Sequence, residues 1–439
     1  MERAKLIVKN FGPLKDIDIE VREMVTFIGA QASGKSTLAK LLSIFEDENF
    51  RRNEYIKFED ELKKYNIHNY LQNDTLIVYD NQKSINLSSN SFEYENGAFF
   101  KLSGLSVLSV LKEESTDLEY TNLLKDYINY DLNYLILNKL EYIQKFVRLY
   151  KNHKNKTFLV NYLILSKNKD KEIDIDEIFE IINLEKNAEN YISFYDDLIN
   201  FLPEIYTFDS IYIPTERSFL HLIAENTLGL INNNVQIPKH LLESGQDYEK
   251  ALQKIKELPL NIIDKKLQYK REGKTSYIYH DKTEKIDLLE SASGLQSIIP
   301  VLLLVEYAKS LKDEYNFNFV VEEPELNLYP KAQHELIKYL VKNCLLDRKN
   351  LILTTHSPFV LASLNNLLLA YDKGQTKPKE VNKIIKKDSW LNPKNFIAYQ
   401  LKNGKAYKIM DDKLGQIKEN MIDTISDDFS DEFDKLLDL

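Results

Sequence analysis

The chain has 439 residues, 43% hydrophobic and 29% charged, with only 12 glycines and 11 prolines, so a disordered, collagen-like or linker-dominated protein is excluded and two or three lobes are expected. The formal charge is −10, and the segment from Asp423 to Leu439 carries seven acids against one lysine, so the remainder is only mildly acidic and net charge does not choose a partner. The single Cys344 can form no internal disulfide and no cysteine-based zinc site, no run approaches roughly 18 uncharged apolar residues, and Met1 leads into a charged, strand-like start; a cytoplasmic protein with no membrane partner is expected.

In chain order, Lys5 to Phe11, a Gly12-Pro13 turn and the alternation of Ile17, Ile19 and Val21 predict a hairpin of half-buried strands. Met24 to Ile28 is a buried strand ending at Gly29, and Ser36 to Phe45 has the 3.6-residue period of a helix. Short alternating runs between about Asn53 and Phe100, such as Leu76–Tyr79 and Ile85–Leu87, predict further strands. From roughly Lys112 to Ile205, apolar residues three and four apart predict a compact helical lobe without coiled-coil heptads. Strands are expected at Ser210–Ile213 and in a hairpin about Gly273. The last third alternates: helix Ile298–Leu311, strand Phe317–Val321, helix Lys331–Val341, strand Asn350–Leu353, then a hairpin about Gly404. Such alternation predicts a parallel α/β sheet.

The residues Gly29-Ala30-Gln31-Ala32-Ser33-Gly34-Lys35-Ser36-Thr37 satisfy the phosphate-loop pattern between a strand and a helix. Backbone N–H groups there form an anion nest, Lys35 can neutralise β- and γ-phosphates, and the Ser36 hydroxyl can hold Mg²⁺. Asn318 to Glu325 is an apolar strand ending in acids at the open sheet edge. Glu322 is placed for the Mg²⁺ shell and Glu323 to orient or deprotonate an attacking water. Leu351 to Pro358 is a second apolar strand that delivers His356 to the same edge, where it can sense a γ-phosphate. Ser291 to Gln296 precedes a long apolar helix, and its Ser293 and Gly294 could face a phosphate or merely cap the helix.

These four pieces in this order resemble the ABC-type ATPases that are not transporters: condensation and break-repair heads, OLD-family nucleases and related defence ATPases. The resemblance implies an α/β ABC-type ATPase head with a phosphate loop, mixed and parallel sheets, flanking helices and an inserted helical lobe. The expected division is 1–111 and 207–376 for the head, 112–206 for the insertion and 377–439 for a hairpin and acidic helical tail. It makes Gly29–Thr37 the Walker A loop, Ser293-Gly294 the signature, Glu322-Glu323 the Walker B end, Leu326 to Pro330 the D-loop and His356 the switch histidine, with Glu322 and Tyr329 departing from the usual Asp and His. ATP and Mg²⁺ are the implied cofactors.

The signature serine would act in trans, making ATP the glue of a head-to-tail dimer or of a larger assembly of dimers such as a hexamer. Together with the Phe11-Gly12-Pro13 start, Glu322-Glu323-Pro324-Glu325 and the stretch Ile213-Pro214-Thr215-Glu216-Arg217, the pattern looks most like the ATPase subunits of two-component anti-phage systems, PARIS-type first and Septu or retron-associated second. That resemblance implies a separate TOPRIM- or HNH-type nuclease or toxin and a phage protein as trigger. From the residues themselves, the 213–217 stretch reads equally as a nucleotide-edge element or a strand-end turn with an exposed ion pair.

OLD-family nucleases carry a TOPRIM domain after the histidine motif, and the 83 residues after His356 look too short for one. Asp427-Asp428 and Asp431-Glu432 read as a solvated helix face or tail, Asp411-Asp412 as a turn, and Lys383 to Lys387 as a solvated surface strand. Two other functions stay open: an ATPase acting directly on DNA, and a nucleotide-dependent scaffold with negligible turnover.

Overall fold

The computed structural model describes residues 4–52, 56–80, 91–102, 121–122, 125, 174–187, 189–191, 193–194, 208–233, 235–281, 283–311, 316–345 and 350–437. The chain divides into two units, residues 1–2, 81–92 and 100–207 in one and residues 3–80, 93–99 and 208–439 in the other. Most of the expected helical lobe at 112–206, and the expected strand Ile85–Leu87, lie outside the described residues.

The strands are β1 (Ala4–Phe11), β2 (Leu14–Val21), β3 (Met24–Gly29), β4 (Leu76–Asp80), β5 (Ser91–Glu95), β6 (Ala98–Leu102), β7 (Phe208–Ile213), β8 (Glu257–Pro259), β9 (Gln268–Glu272), β10 (Thr275–Tyr279), β11 (Lys285–Asp287), β12 (Asn316–Glu322), β13 (Leu351–Thr355), β14 (Phe396–Lys402) and β15 (Lys405–Lys408). The helices are α1 (Lys35–Phe45), α2 (Glu48–Arg52), α3 (Phe58–Lys64), α4 (Ile175–Ile182), α5 (Leu220–Asn232), α6 (Lys239–Lys254), α7 (Ser293–Ser310), α8 (Pro330–Cys344), α9 (Pro358–Gly374), α10 (Pro378–Ile384) and α11 (Met421–Leu437).

Eleven strands make one mixed sheet in the order β6-β5-β4-β1-β2-β15-β14-β3-β13-β12-β7. The hairpin expected at the start is antiparallel, with Ala4 opposite Val21 and Phe11 opposite Leu14. From β14 to β7 neighbouring strands run parallel, which requires cover on both faces. Accordingly every residue of β3 and β13 is buried. In register, Gly29 pairs with Leu401, Ile28 with Thr355, Thr354 with Glu322, and Val321 with Ile213, so four strand ends stop at one edge. A separate four-stranded antiparallel sheet, β11-β10-β9-β8, contains the hairpin expected about Gly273.

In the other unit, α4 is capped by the Asp174 carboxylate, which accepts from the Asp176 N–H at 3.0 Å, and ends at Asn183 with φ 58°. It buries Ile175, Ile178, Phe179 and Ile182, with Phe179 stacked on Tyr191 at 4.7 Å.

Three local expectations are corrected. Within 53–100, residues 58–64 are helical: Phe58 and Leu62 are four apart and buried, acids fill the first turn and Lys63 and Lys64 the last, which suits the helix dipole. The Lys383–Lys387 run is no strand; Pro378 starts α10, and Lys387 enters a further short helical turn. α7 begins at Ser293, five residues before Ile298. Two short strands, β16 (Met410–Asp411) and β17 (Gln416–Ile417), pair antiparallel, so Asp411 ends a strand and Asp412 lies in the turn between them; the Asp411 carboxylate accepts from the N–H groups of Lys413 and Leu414, and the acids of 423–434 lie on α11.

Candidate nucleotide site

The loop between β3 and α1 is built from local rules. Gly34 has φ 99°, and a Cβ there would lie 2.5 Å from Leu14 Cδ2, so no side chain fits this bend without displacement. α1 starts at Lys35 with no side chain capping it, which leaves its first N–H groups directed to the loop. Lys35 is 5% exposed, and its ammonium donates to the carbonyls of Gly29 at 3.0 Å and Ala30 at 2.9 Å. Burial lowers its pKa, and the carboxylates of Glu323, Glu322 and Glu325 oppose that shift. Ala30, Gln31, Ala32 and Ser36 are exposed, Thr37 is buried, and the buried Ser33 hydroxyl has no hydrogen-bond partner.

Opposite the loop stands the acidic edge. Glu322, the last residue of β12, is 3% exposed; burial raises its pKa, and the neighbouring Ser36 and Tyr212 hydroxyls and Lys40 offset part of the rise. Its Oε1 nonetheless reaches no partner at hydrogen-bonding geometry, and neither does the Tyr212 hydroxyl. Glu323 takes the left-handed conformation, φ 42°, which costs about 1–3 kcal/mol in a residue with a side chain. Its N–H is held by Thr354, on the carbonyl at 2.9 Å and the hydroxyl at 3.2 Å. Its carboxylate turns to His356, with Oε1 and Nε2 3.0 Å apart, both groups partly open to solvent. Glu325 braces the histidine from behind, accepting from the His356 N–H at 2.8 Å and the Thr355 hydroxyl at 2.7 Å.

Sequence reasoning left Arg217 undecided between a nucleotide-edge element and an exposed ion pair. It is 0% exposed and pairs with backbone: it donates to the carbonyls of Glu322 and Glu323, each at 2.7 Å, of Ser297 at 3.0 Å and of Pro214 at 3.3 Å. Burial pulls its pKa down to about 10 against four nearby glutamates. One cation thus fastens the bend carrying both acids to α7. Glu216, one residue earlier, adds negative charge that pushes Glu322 further up.

Ser293 is exposed at the first turn of α7, and the preceding Ala292 offers no side-chain cap, so the serine is not a helix cap. A Cβ on Gly294 would lie 2.7 Å from the Asn327 carbonyl oxygen, so this glycine lets the helix approach the backbone of 326–330. That segment ends at Tyr329, 79% exposed, and Pro330, the first residue of α8. Gln333, which no sequence signal marked, joins it to the histidine strand: its amide donates to the Leu328 carbonyl at 2.8 Å and accepts from the Ser357 hydroxyl at 2.6 Å. No hydrogen bond among the described residues joins Ser293 to the 29–37 loop.

A phosphate loop, two acids and a histidine on adjacent parallel strand ends, with a glycine-bearing helix start packed on the segment after the acids, define an ABC-type α/β ATPase head. The chain belongs to the AAA ATPase domain family (AAA_15), whose model matches residues 1–361. No curated protein matches it significantly. Among solved structures it is similar to the Smc head domain of Pyrococcus furiosus bound to the C-terminal domain of ScpA, at 11% identity over 93% of this chain and 95% of that one, TM-score 0.33. It is also similar to the SMC head domain from Thermotoga maritima, at 10% identity over 93% and 98%, TM-score 0.31. The recombination mediator protein RecF-ATPrS structure is similar at 13% identity over 93% and 98%, TM-score 0.30. Among the described residues no helix is long and apolar enough to cross a membrane.

Proposed function

We propose that the chain binds Mg-ATP at this edge and hydrolyses it to ADP and phosphate as a nucleotide-driven dimerisation switch. The observation that carries the reading is the meeting of Lys35, the Ser36–Glu322 pair and the Glu323–His356 pair at one sheet edge. The residues fit the implied cofactors: Glu322 has a buried, unpartnered Oε1 beside an exposed Ser36 hydroxyl, the donor set a hard cation takes alongside phosphate oxygens. When bound, Mg²⁺ would supply Lewis-acid neutralisation of phosphate charge. Lys35 and the 29–37 N–H groups hold the phosphates. Glu323, aimed by the His356 contact and by the strained bend, takes the proton of a water at its carboxylate. His356 orients that carboxylate, and Arg217 positions the bend without touching nucleotide.

In this reading Ser293 and Gly294 serve the nucleotide of a facing head, giving a head-to-tail dimer with two composite sites. The 112–206 segment is the inserted helical lobe and 377–439 the C-terminal extension. The output is control of a separate nuclease or toxin chain in an anti-phage system, with a phage protein as trigger.

The test is the mass in solution of wild type and Glu323→Gln, with and without Mg-ATP, while phosphate release is followed. The variant is expected to lose roughly 10²–10⁴-fold in turnover and to accumulate an ATP-dependent dimer or larger species. An assembly indifferent to ATP, with no turnover in either protein, would leave a scaffold. Turnover stimulated by DNA would transfer the reading to an ATPase acting on DNA.

A further inference from the structure

The C-terminal helix α11 stands apart from the nucleotide edge in chemistry. Ile425, Phe429, Phe433, Leu436 and Leu437 are 45%, 67%, 61%, 63% and 69% exposed, five large apolar side chains on one 17-residue helix. At 100° per residue they fall on one continuous stripe, in the i, i+4, i+8 spacing of a helix that buries a face. Nothing in the described residues covers that stripe: every residue of known burial from Asp423 to Leu437 is exposed. At its start the helix is tied to the sheet by the Met421 N–H, which donates to the Gln400 side chain at 2.8 Å, and Asn420 donates to the Asp423 carboxylate across the first turn. A helix of this length without tertiary burial is marginal in water, so an occupied stripe is its stable state.

The charge arrangement selects the occupant. The same spacing puts Asp428 and Glu432 along one border of the stripe, with Lys435 beside Asp428 as the one base, and Asp423 and Asp434 along the other, with Asp431 on the far side, so both borders are acidic in net charge. Two copies of α11 packed on their stripes would set acid borders against acid borders in either parallel or antiparallel sense, which is repulsive. A nucleic acid backbone or an anionic bilayer surface would repel it likewise, since interfacial helices carry Lys and Arg at such borders. A groove on another protein, lined by aliphatic side chains and edged by Lys or Arg, satisfies both the stripe and its borders.

We propose that α11 is a docking helix that inserts Phe429 and Phe433 into an apolar, basic-edged groove of a different protein. This holds whether or not the ATPase reading holds, since no residue of α11 belongs to the nucleotide edge.

The experiment replaces Phe433 by p-benzoylphenylalanine in the full-length chain, irradiates cells producing it, and maps the cross-linked peptide by mass spectrometry. The measurement is repeated in the backgrounds Phe429→Ser, Asp428→Asn with Glu432→Gln, and Asp431→Asn, with helix content checked by circular dichroism. The expected result is an adduct to another protein at a peptide flanked by Lys or Arg, reduced at least about fivefold by Phe429→Ser and by the border pair and unchanged by Asp431→Asn. An adduct to a second copy of this chain, an adduct insensitive to the border pair, or no protein adduct at all would each overturn the proposal.

Discussion

The loop around Lys35 and the edge around Glu322 meet at the same strand ends but are held in opposite ways. The loop is made from nine consecutive residues: a left-handed Gly34, an uncapped helix start, and a lysine bonded to carbonyls five and six residues away. The acidic edge is made from the ends of three strands far apart in sequence, β7, β12 and β13. Glu322 and Glu323 depend on Thr354 thirty-one residues on, on His356, and on Arg217 more than a hundred residues back. A loop of the first kind is bonded mainly within its own residues, with Leu14 and Leu401 packed against its glycines. An edge of the second kind can be dismantled from a position that never meets the nucleotide, and that difference is open to test.

The largest effect after Glu323→Gln is expected at Arg217. Truncation to Ala leaves the Glu322 and Glu323 carbonyls without their buried donor, at a cost of about 3 kcal/mol read as a denaturant midpoint shift. Because the bend also aims Glu323, turnover should fall by roughly 100-fold while nucleotide affinity, set by the loop, changes far less. Arg217→Lys, which keeps the charge but not the planar fork, should recover part of the stability and little of the turnover. Equal loss of affinity and turnover would show that the two halves are not separable.

That division also explains what the sequence disclosed. The phosphate loop, the acid-ended strand, the histidine strand and the hairpins about Gly12, Gly273 and Gly404 are legible because each is written in one short stretch. The parallel order β3-β13-β12-β7 is only half legible: alternation announces a parallel sheet, but nothing local says that β7 lies beside β12 and brings Arg217 under Glu322. An arginine following a strand reads equally as a nucleotide-edge group or an exposed ion pair until its four carbonyl partners are assembled. Gln333 was silent for the same reason, since its two partners, Leu328 and Ser357, belong to different motifs. The 58–64 helix was missed because its apolar contacts Phe58 and Leu62 are sparse among charges, a pattern that strand alternation imitates over a few residues.

A smaller effect is expected where α7 meets the segment after the acids. Gly294→Ala brings a methyl to 2.7 Å from the Asn327 carbonyl, and the backbone must give way at about 1–3 kcal/mol. If that contact sets the position of Ser293 for a facing head, the ATP-dependent dimer of the Glu323→Gln background should weaken when Gly294→Ala is added, while ATP binding by the monomer is unaffected. Sedimentation across a range of protein concentrations would separate the two, and an unchanged dimer would confine Gly294 to packing.

The smallest effect concerns the buried acid itself. Burial holds the Glu322 pKa above the usual carboxylate value in the nucleotide-free protein, so the fold favours its neutral form. A carboxyl raised in this way contributes stability that is full below its unfolded titration and is lost as pH rises through its folded one. The nucleotide-free wild type should therefore gain stability relative to Glu322→Gln as pH is lowered from neutrality towards the unfolded carboxyl range. At neutral pH the amide, which never has to carry a buried charge, should be the more stable of the two. Mg-ATP should reverse the order, because only the carboxylate gains a cation. Thermal midpoints of both proteins over that pH range, with and without Mg-ATP, measure all three statements; parallel curves for the two proteins would mean that Glu322 is neither strained by its burial nor relieved by the metal.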